Sequence, residues 1–178
     1  PVTLENNTAE EQFQELLFAI DELEDTSIIF TKANSDTNGR IINQMIDEYV
    51  NRNSHKSCKF NSLGQLRYLS ALQYMDAMVG NSSSGIAEAP SFKIGTINMG
   101  DRQKGRIKAD SVIDCLSKKK NITTAIKELY SKKFQLKLKN TKNPYGDGCA
   151  SKKVVKVLKS IPLDNILKKV FFNVKFSL

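Results

Sequence analysis

A chain of 178 residues, 40% hydrophobic and 26% charged, is long enough for one domain with a substantial core and short for two. No apolar run approaches the roughly 20 residues of a membrane span, no signal-peptide pattern opens the chain, and three widely spaced cysteines (Cys58, Cys115, Cys149) argue against a disulfide framework or a zinc site and for a reducing cytoplasm. The net charge of +8 is uneven: residues 1–50 hold eleven acids and two bases, the rest eight acids and 25 bases.

In chain order, Thr8 and Glu11 form a capping box, and Phe13, Leu16, Leu17, Ile20 and Leu23 then recur at helical spacing. The β-branched run SIIFTKA (27–33) reads as a buried strand, followed by a turn-residue loop, NSDTNG (34–39). Ile42, Met45, Ile46, Tyr49 and Val50 mark a second amphipathic helix, and CKFN (58–61) a short strand. Ser62 and Gln65 make another capping box, opening a helix that carries Leu66, Leu69, Leu72 and Tyr74. The strand AMV (77–79) runs into GNSSSG (80–85), and the short helix after it, IAEAPSF, is limited by Pro90. TINM (96–99) is a strand, GDRQKGR (100–106) a polar loop and SVIDC (111–115) a strand. A Lys-rich helix spans about 122–133, NPYGDG (143–148) is a turn cluster, and ASKKVVKVLKSI is a further amphipathic helix.

This alternation predicts an α/β fold: one mainly parallel sheet with helices on both faces, a three-layer, Rossmann-like domain. Ligands of such sheets bind outside the carboxyl ends of the strands, where NSDTNG, GNSSSG and GDRQKGR all fall. The lone histidine, His55, sits in a polar stretch and makes Ser-His chemistry within this chain a poor expectation. The basic surface attracts polyanions, but most bases are lysines at amphipathic spacing and no aromatics interleave with arginine, which argues against nucleic acid as partner.

GNSSSG follows a strand and precedes a helix, so unsatisfied N–H groups and the hydroxyls of Ser82 and Ser83 could cradle an anion. Equally, the serines could simply cap the helix. The G-x-x-x-x-G spacing fits a phosphate loop, but Ile86 stands where a Walker loop needs Lys. Glu88, in a largely apolar stretch, can accept two hydrogen bonds from a ribose diol, or be a carboxylate favoured near a helix start. Arg102 can balance a diphosphate or be an exposed loop arginine. Together Ser82, Ser83, Glu88 and Arg102 point to a nucleoside-diphosphate site.

PVTLENN, GNSSSGIAEAPSF, INMGDRQKGR and NPYGDG, in that order, resemble the UDP-N-acetylglucosamine 2-epimerases, most closely the hydrolysing branch that feeds sialic acid synthesis. The resemblance covers essentially the whole chain. It implies a GT-B-like enzyme of two Rossmann-like domains, with this chain as the C-terminal, UDP-binding half: residues 1–160 the nucleotide domain, 161–178 a helix and tail packing on the N-terminal domain or another subunit. By that resemblance Ser82 and Ser83 hold the diphosphate, Glu88 the ribose hydroxyls, and Arg102 supports the phosphates. Asn34 and Asp36 reach toward sugar and diphosphate, and Leu63 (through its backbone) and Tyr68 grip the uracil. In the family UDP is eliminated to leave 2-acetamidoglucal, and water addition gives N-acetylmannosamine. The proton-transfer groups of the N-terminal half, and a family histidine immediately before the Pro-Val-Thr, are expected to lie outside these 178 residues. The stretch alone is therefore expected to bind but not turn over. The implied partners are UDP, UDP-N-acetylglucosamine, the N-terminal domain and a second subunit, with no cofactor, metal, membrane or nucleic acid. Two alternatives stand beside this: an epimerase of a modified UDP- or GDP-sugar, and a basic module for nucleic acid or anionic surfaces.

Overall fold

In the computed structural model of the chain, which describes residues 8–34, 38–164 and 167, helix and strand alternate in the expected order. Two units result, Pro1–Tyr145 and Gly146–Leu178. In the first, α1 (Ala9–Ile20) leads to β1 (Ile28–Thr31), α2 (Gly39–Arg52), β2 (Ser57–Phe60), α3 (Gly64–Leu72) and β3 (Ala77–Gly80). A single turn, α4 (Ser84–Ala87), and a 3₁₀ turn at Ala89–Phe92 precede β4 (Gly95–Met99) and β5 (Val112–Cys115). The unit ends with α5 (Lys119–Leu129) and α6 (Lys132–Lys139). In the second unit α7 (Ala150–Ser160) carries no buried residue, and Lys153 Nζ pairs with Asp147 Oδ1 at 2.8 Å.

Among the described residues all strand pairs are parallel, but they form two sheets rather than one: β1 with β2, and β3-β4-β5. The period-two alternation sorts the strand side chains between layers. Ala77, Val79, Ile97, Met99, Ile113 and Cys115 face a core completed by Ala19 of α1, Ile122 and Leu129 of α5, and Phe134 of α6. Met78, on the other face, packs with Leu72 of α3, Ala89 and Ile94. Over β1, Phe30 meets Phe13 and Tyr49 edge to face, with Ile42, Ile46 and Val50 beneath. Burying each such aliphatic side chain contributes roughly 1.5–3 kcal/mol.

Several local expectations change. Thr8 makes no side-chain cap; its Oγ1 instead accepts from Gln12 Nε2 at 2.9 Å. Ser62 engages the N–H of Gly64 (3.1 Å) rather than forming a box with Gln65. Leu66 and Tyr74, expected on the apolar face of α3, are 81% and 89% exposed, because only its Leu72 side turns to the sheet. The Lys-rich helix is two helices: the chain turns at Tyr130, and Ser131 caps α6 by accepting from Phe134 N at 3.2 Å.

The uneven charge is used internally. Glu15 Oε2 of α1 accepts from the Lys119 N–H (2.5 Å), and Glu22, just past the end of α1, pairs with Lys119 Nζ (2.6 Å), tying this segment to α5. Asp47 of α2 bridges Lys32 (2.8 Å) and Lys59 (2.7 Å) beside β1 and β2. The three cysteines are free, and among the described residues no helix is long and apolar enough to cross a membrane and no cluster of ligating side chains could hold a metal.

Candidate functional site

Three loops leave the carboxyl ends of β1, β3 and β4. At the first, Asn43 of α2 clamps Ala33: its Oδ1 accepts from Ala33 N (2.8 Å) and its Nδ2 donates to Ala33 O (3.2 Å). Asn34, next along, is left exposed. Asp36 lies outside the described residues.

The second loop begins at Gly80, whose φ of +145° suits glycine. Ser82 and Ser83 are both exposed, and Ser83 places no side-chain hydrogen bond on the helix it precedes. Ser82 Oγ accepts only a long bond from Ser84 N, 3.3 Å. Capping therefore occupies these hydroxyls little. The anion argument also changes: α4 is four residues long, so its dipole is small and any cradle rests on individual N–H and hydroxyl donors. Glu88 sits at the C-cap of α4, not within a helix, and is exposed. Gly85 serves packing. A Cβ there would lie 2.5 Å from Thr96 Cγ2, and Thr96, itself buried, donates its hydroxyl to Gly85 O at 2.9 Å.

The third loop holds the second. Gln103, only 3% exposed, donates Nε2 to Asn81 O at 2.8 Å, and Arg102 Nη1 approaches the same carbonyl at 3.4 Å. The base of this loop is fixed by Asn98, buried at the end of β4, which donates to Asp114 Oδ1 (2.7 Å), while Lys108 Nζ donates to both Asp114 oxygens (2.7 Å each). Burial pushes the Asp114 carboxyl up, but the Lys108 and Asn98 hydrogen bonds outweigh it and hold the group below its ordinary value.

Tyr68 of α3 completes the rim, its hydroxyl hydrogen-bonded to Ser84 Oγ. Burial pushes that hydroxyl above its usual pKa; the Ser84 bond works against this and the Glu88 charge adds to it. Asn34, Leu63, Tyr68, Ser82, Glu88 and Arg102 all border one cavity of about 1140 Å³; Ser83 does not. Gln103 and Ser84 escape a reading of the sequence because neither lies on an apolar period, and nothing local marks one polar loop residue as buried.

NPYGDG braces the site from behind. Asn143 Nδ2 donates to Ala87 O and to Ser91 Oγ, both at 2.7 Å, and Tyr145 OH donates to Ile107 O at 3.0 Å. Asn143→Ala is expected to cost about 1–3 kcal/mol in urea unfolding. Asn143→Asp keeps the acceptor that receives the Tyr145 N–H (2.9 Å) but loses the donor. It is expected to fall nearly as far.

Residues 1–159 match the family model described as UDP-N-acetylglucosamine 2-epimerase. A Campylobacter jejuni GDP/UDP-N,N′-diacetylbacillosamine 2-epimerase (hydrolyzing) is 45% identical over 97% of this chain and 45% of its own length. A Legionella pneumophila UDP-N,N′-diacetylbacillosamine 2-epimerase (hydrolyzing) is 37% identical over 95% of this chain and 43% of its own. The chain thus spans less than half the length of these relatives. The S. aureus MnaA–UDP co-structure superposes with a TM-score of 0.68 at 22% identity, over 86% of this chain and 42% of that one, a match of fold with a GT-B-like protein. With the family model covering nearly the whole chain, and its serine loop and arginine loop meeting around one cavity, the chain belongs to the UDP-N-acetylglucosamine 2-epimerase family.

Proposed function

We propose that this chain is the UDP-binding part of a hydrolysing nucleotide-sugar 2-epimerase. The observation that carries the reading is the meeting of Ser82, Glu88, Arg102, Tyr68, Leu63 and Asn34 around one cavity in a chain of this family. Ser82 donates to the diphosphate, with the exposed Ser83 hydroxyl next to it outside the cavity lining, Arg102 faces its charge, Glu88 accepts from the ribose diol, and Tyr68 with the Leu63 backbone borders the base. In the reaction the sugar C1–O bond breaks, UDP leaves with the bonding pair and a C2 proton departs; water then adds across the resulting double bond. Donors gathered around the growing charge of the leaving diphosphate lower that barrier. The acids and bases for the proton transfers belong to other parts of the protein.

For the sugar, the relatives at 45% and 37% identity favour an N,N′-diacetylbacillosamine nucleotide over UDP-N-acetylglucosamine. The test is to supply the full-length protein with each, as UDP- and GDP-linked substrates, and follow nucleotide release and the C2 configuration by NMR. Turnover of the diacetamido sugar at least about tenfold faster in kcat/KM supports the reading, a difference of about 1.4 kcal/mol in transition-state binding. Preference for UDP-N-acetylglucosamine overturns the sugar assignment, and no turnover of any of them overturns the reaction.

A further inference from the structure

The carbonyl of Asn81 faces two donors of the third loop. Gln103 Nε2 meets it at 2.8 Å and Arg102 Nη1 at 3.4 Å. The shorter bond comes from the buried residue, whereas Arg102 is exposed. A carbonyl only accepts, so the end of the Gln103 amide that faces it is the nitrogen. The other end, Oε1, is also buried and has no hydrogen-bond partner among the described residues. A buried acceptor left unpaired is a cost to the fold. Packing alone would favour an apolar side chain of the same length, so the bond to Asn81 O is what a glutamine supplies at this position.

We infer that Gln103 is a positioning residue for the leaving diphosphate, a role that rests on the site being a UDP site: through the Asn81 carbonyl it aims the donors of Ser82. A trans peptide unit is planar, with its C=O and N–H opposed. Since Asn81 O is turned to Gln103, the N–H of Ser82 is turned away from it. That N–H has no partner among the described residues. Ser82 borders the cavity, and Gln103 does not. Two further features bear on the same peptide. Gly80 enters the loop at a φ of +145°, yet a Cβ there would meet nothing within 4 Å, so conformation rather than space calls for glycine. Gln103 is braced in turn: Gly100 N donates to Cys115 O (2.9 Å), Lys104 N to Asp101 O (2.7 Å) and Arg106 N to Gln103 O (3.3 Å). Because Gln103 satisfies the carbonyl, Arg102 can leave its long contact for the diphosphate without orphaning Asn81 O. The two neighbours divide the work: Gln103 holds the serine loop, and Arg102 meets the charge.

Gln103→Met keeps the length of the side chain and removes both polar ends of the amide. Its binding of UDP and of uridine, in the full-length protein, is followed by NMR titration, with the urea midpoint as a check of the fold. The variant is expected to lose at least about tenfold in affinity for UDP and to bind uridine within about twofold of the unsubstituted protein, because uridine has no phosphate to meet Ser82. Equal weakening toward both ligands overturns the inference and leaves Gln103 a purely structural role; unchanged UDP affinity overturns it too. A second readout needs no variant. In the unsubstituted protein the Ser82 amide proton is expected to move downfield on saturation with UDP, as a charge-assisted hydrogen bond requires, and to stay in place with uridine. A Ser82 amide that responds to neither ligand, or alike to both, overturns the inference, and this readout decides should Gln103→Met fail to fold. All these outcomes leave the UDP site standing. An unsubstituted protein that does not bind UDP overturns the reading of the site and the role of Gln103 together.

Discussion

Glu88→Ala is expected to weaken UDP binding to the full-length protein about 10- to 100-fold by calorimetry. That is the loss of roughly 1.5–3 kcal/mol for hydrogen bonds to a charged acceptor. The carboxylate stands on the rim of the cavity with Ser82 and Tyr68 and is exposed, so a nucleotide that covers it must return hydrogen bonds for the water it displaces. A ribose diol can do so with two donors. The specific readout is the comparison with 2′,3′-dideoxy-UDP. The unsubstituted protein should prefer UDP by the same 10- to 100-fold factor, and Glu88→Ala should abolish that preference. Equal weakening toward both nucleotides would show that Glu88 acts through the fold of the 80–88 loop and not on the ribose. Because α4 is a single turn, little of the effect can be charged to a helix dipole.

Gly85→Ala should lower stability by about 1–3 kcal/mol, the usual cost of overpacking a filled interior. The new methyl would sit 2.5 Å from Thr96 Cγ2 and 3.3 Å from its Oγ1. Thr96 cannot retreat easily: it is buried on β4, β-branched, and held by its bond to Gly85 O. The strain should reach the site, since Gly85 lies within the serine loop's own turn. Thr96→Ser removes the clashing methyl and keeps the hydroxyl, so the double variant Gly85→Ala/Thr96→Ser should recover at least about half of the loss, a coupling visible in a double-mutant cycle of urea unfolding midpoints. Additive losses would place the requirement for glycine elsewhere than in contact with Thr96.

Much of this protein is legible in order along the chain. The apolar periods of α1, α2 and α5, the β-branched runs of β1 and β4 and the turn residues between them identify the elements, because these patterns reflect which face of each element leaves water. The serine loop, Glu88 and Arg102 can be nominated as a nucleotide site because strand-to-helix loops of a parallel sheet gather at one edge. Other features depend on residues distant in sequence. Gln103 meets Asn81 across 22 positions, Asn143 meets Ala87 across 56, and Glu15 meets Lys119 across 104. The reason Gly85 is glycine is a threonine eleven residues away on the next strand. Local pattern can establish that a residue is polar, small or periodic; whether it is buried, and against what, is set by long-range packing. The same limit governs the sheet. Five strand-forming runs are determined by the sequence itself, but their division, among the described residues, into β1-β2 and β3-β4-β5 follows from backbone pairing, with α1 packing into both cores. Strand propensity says which residues extend, and only tertiary structure decides which extended edges find a partner.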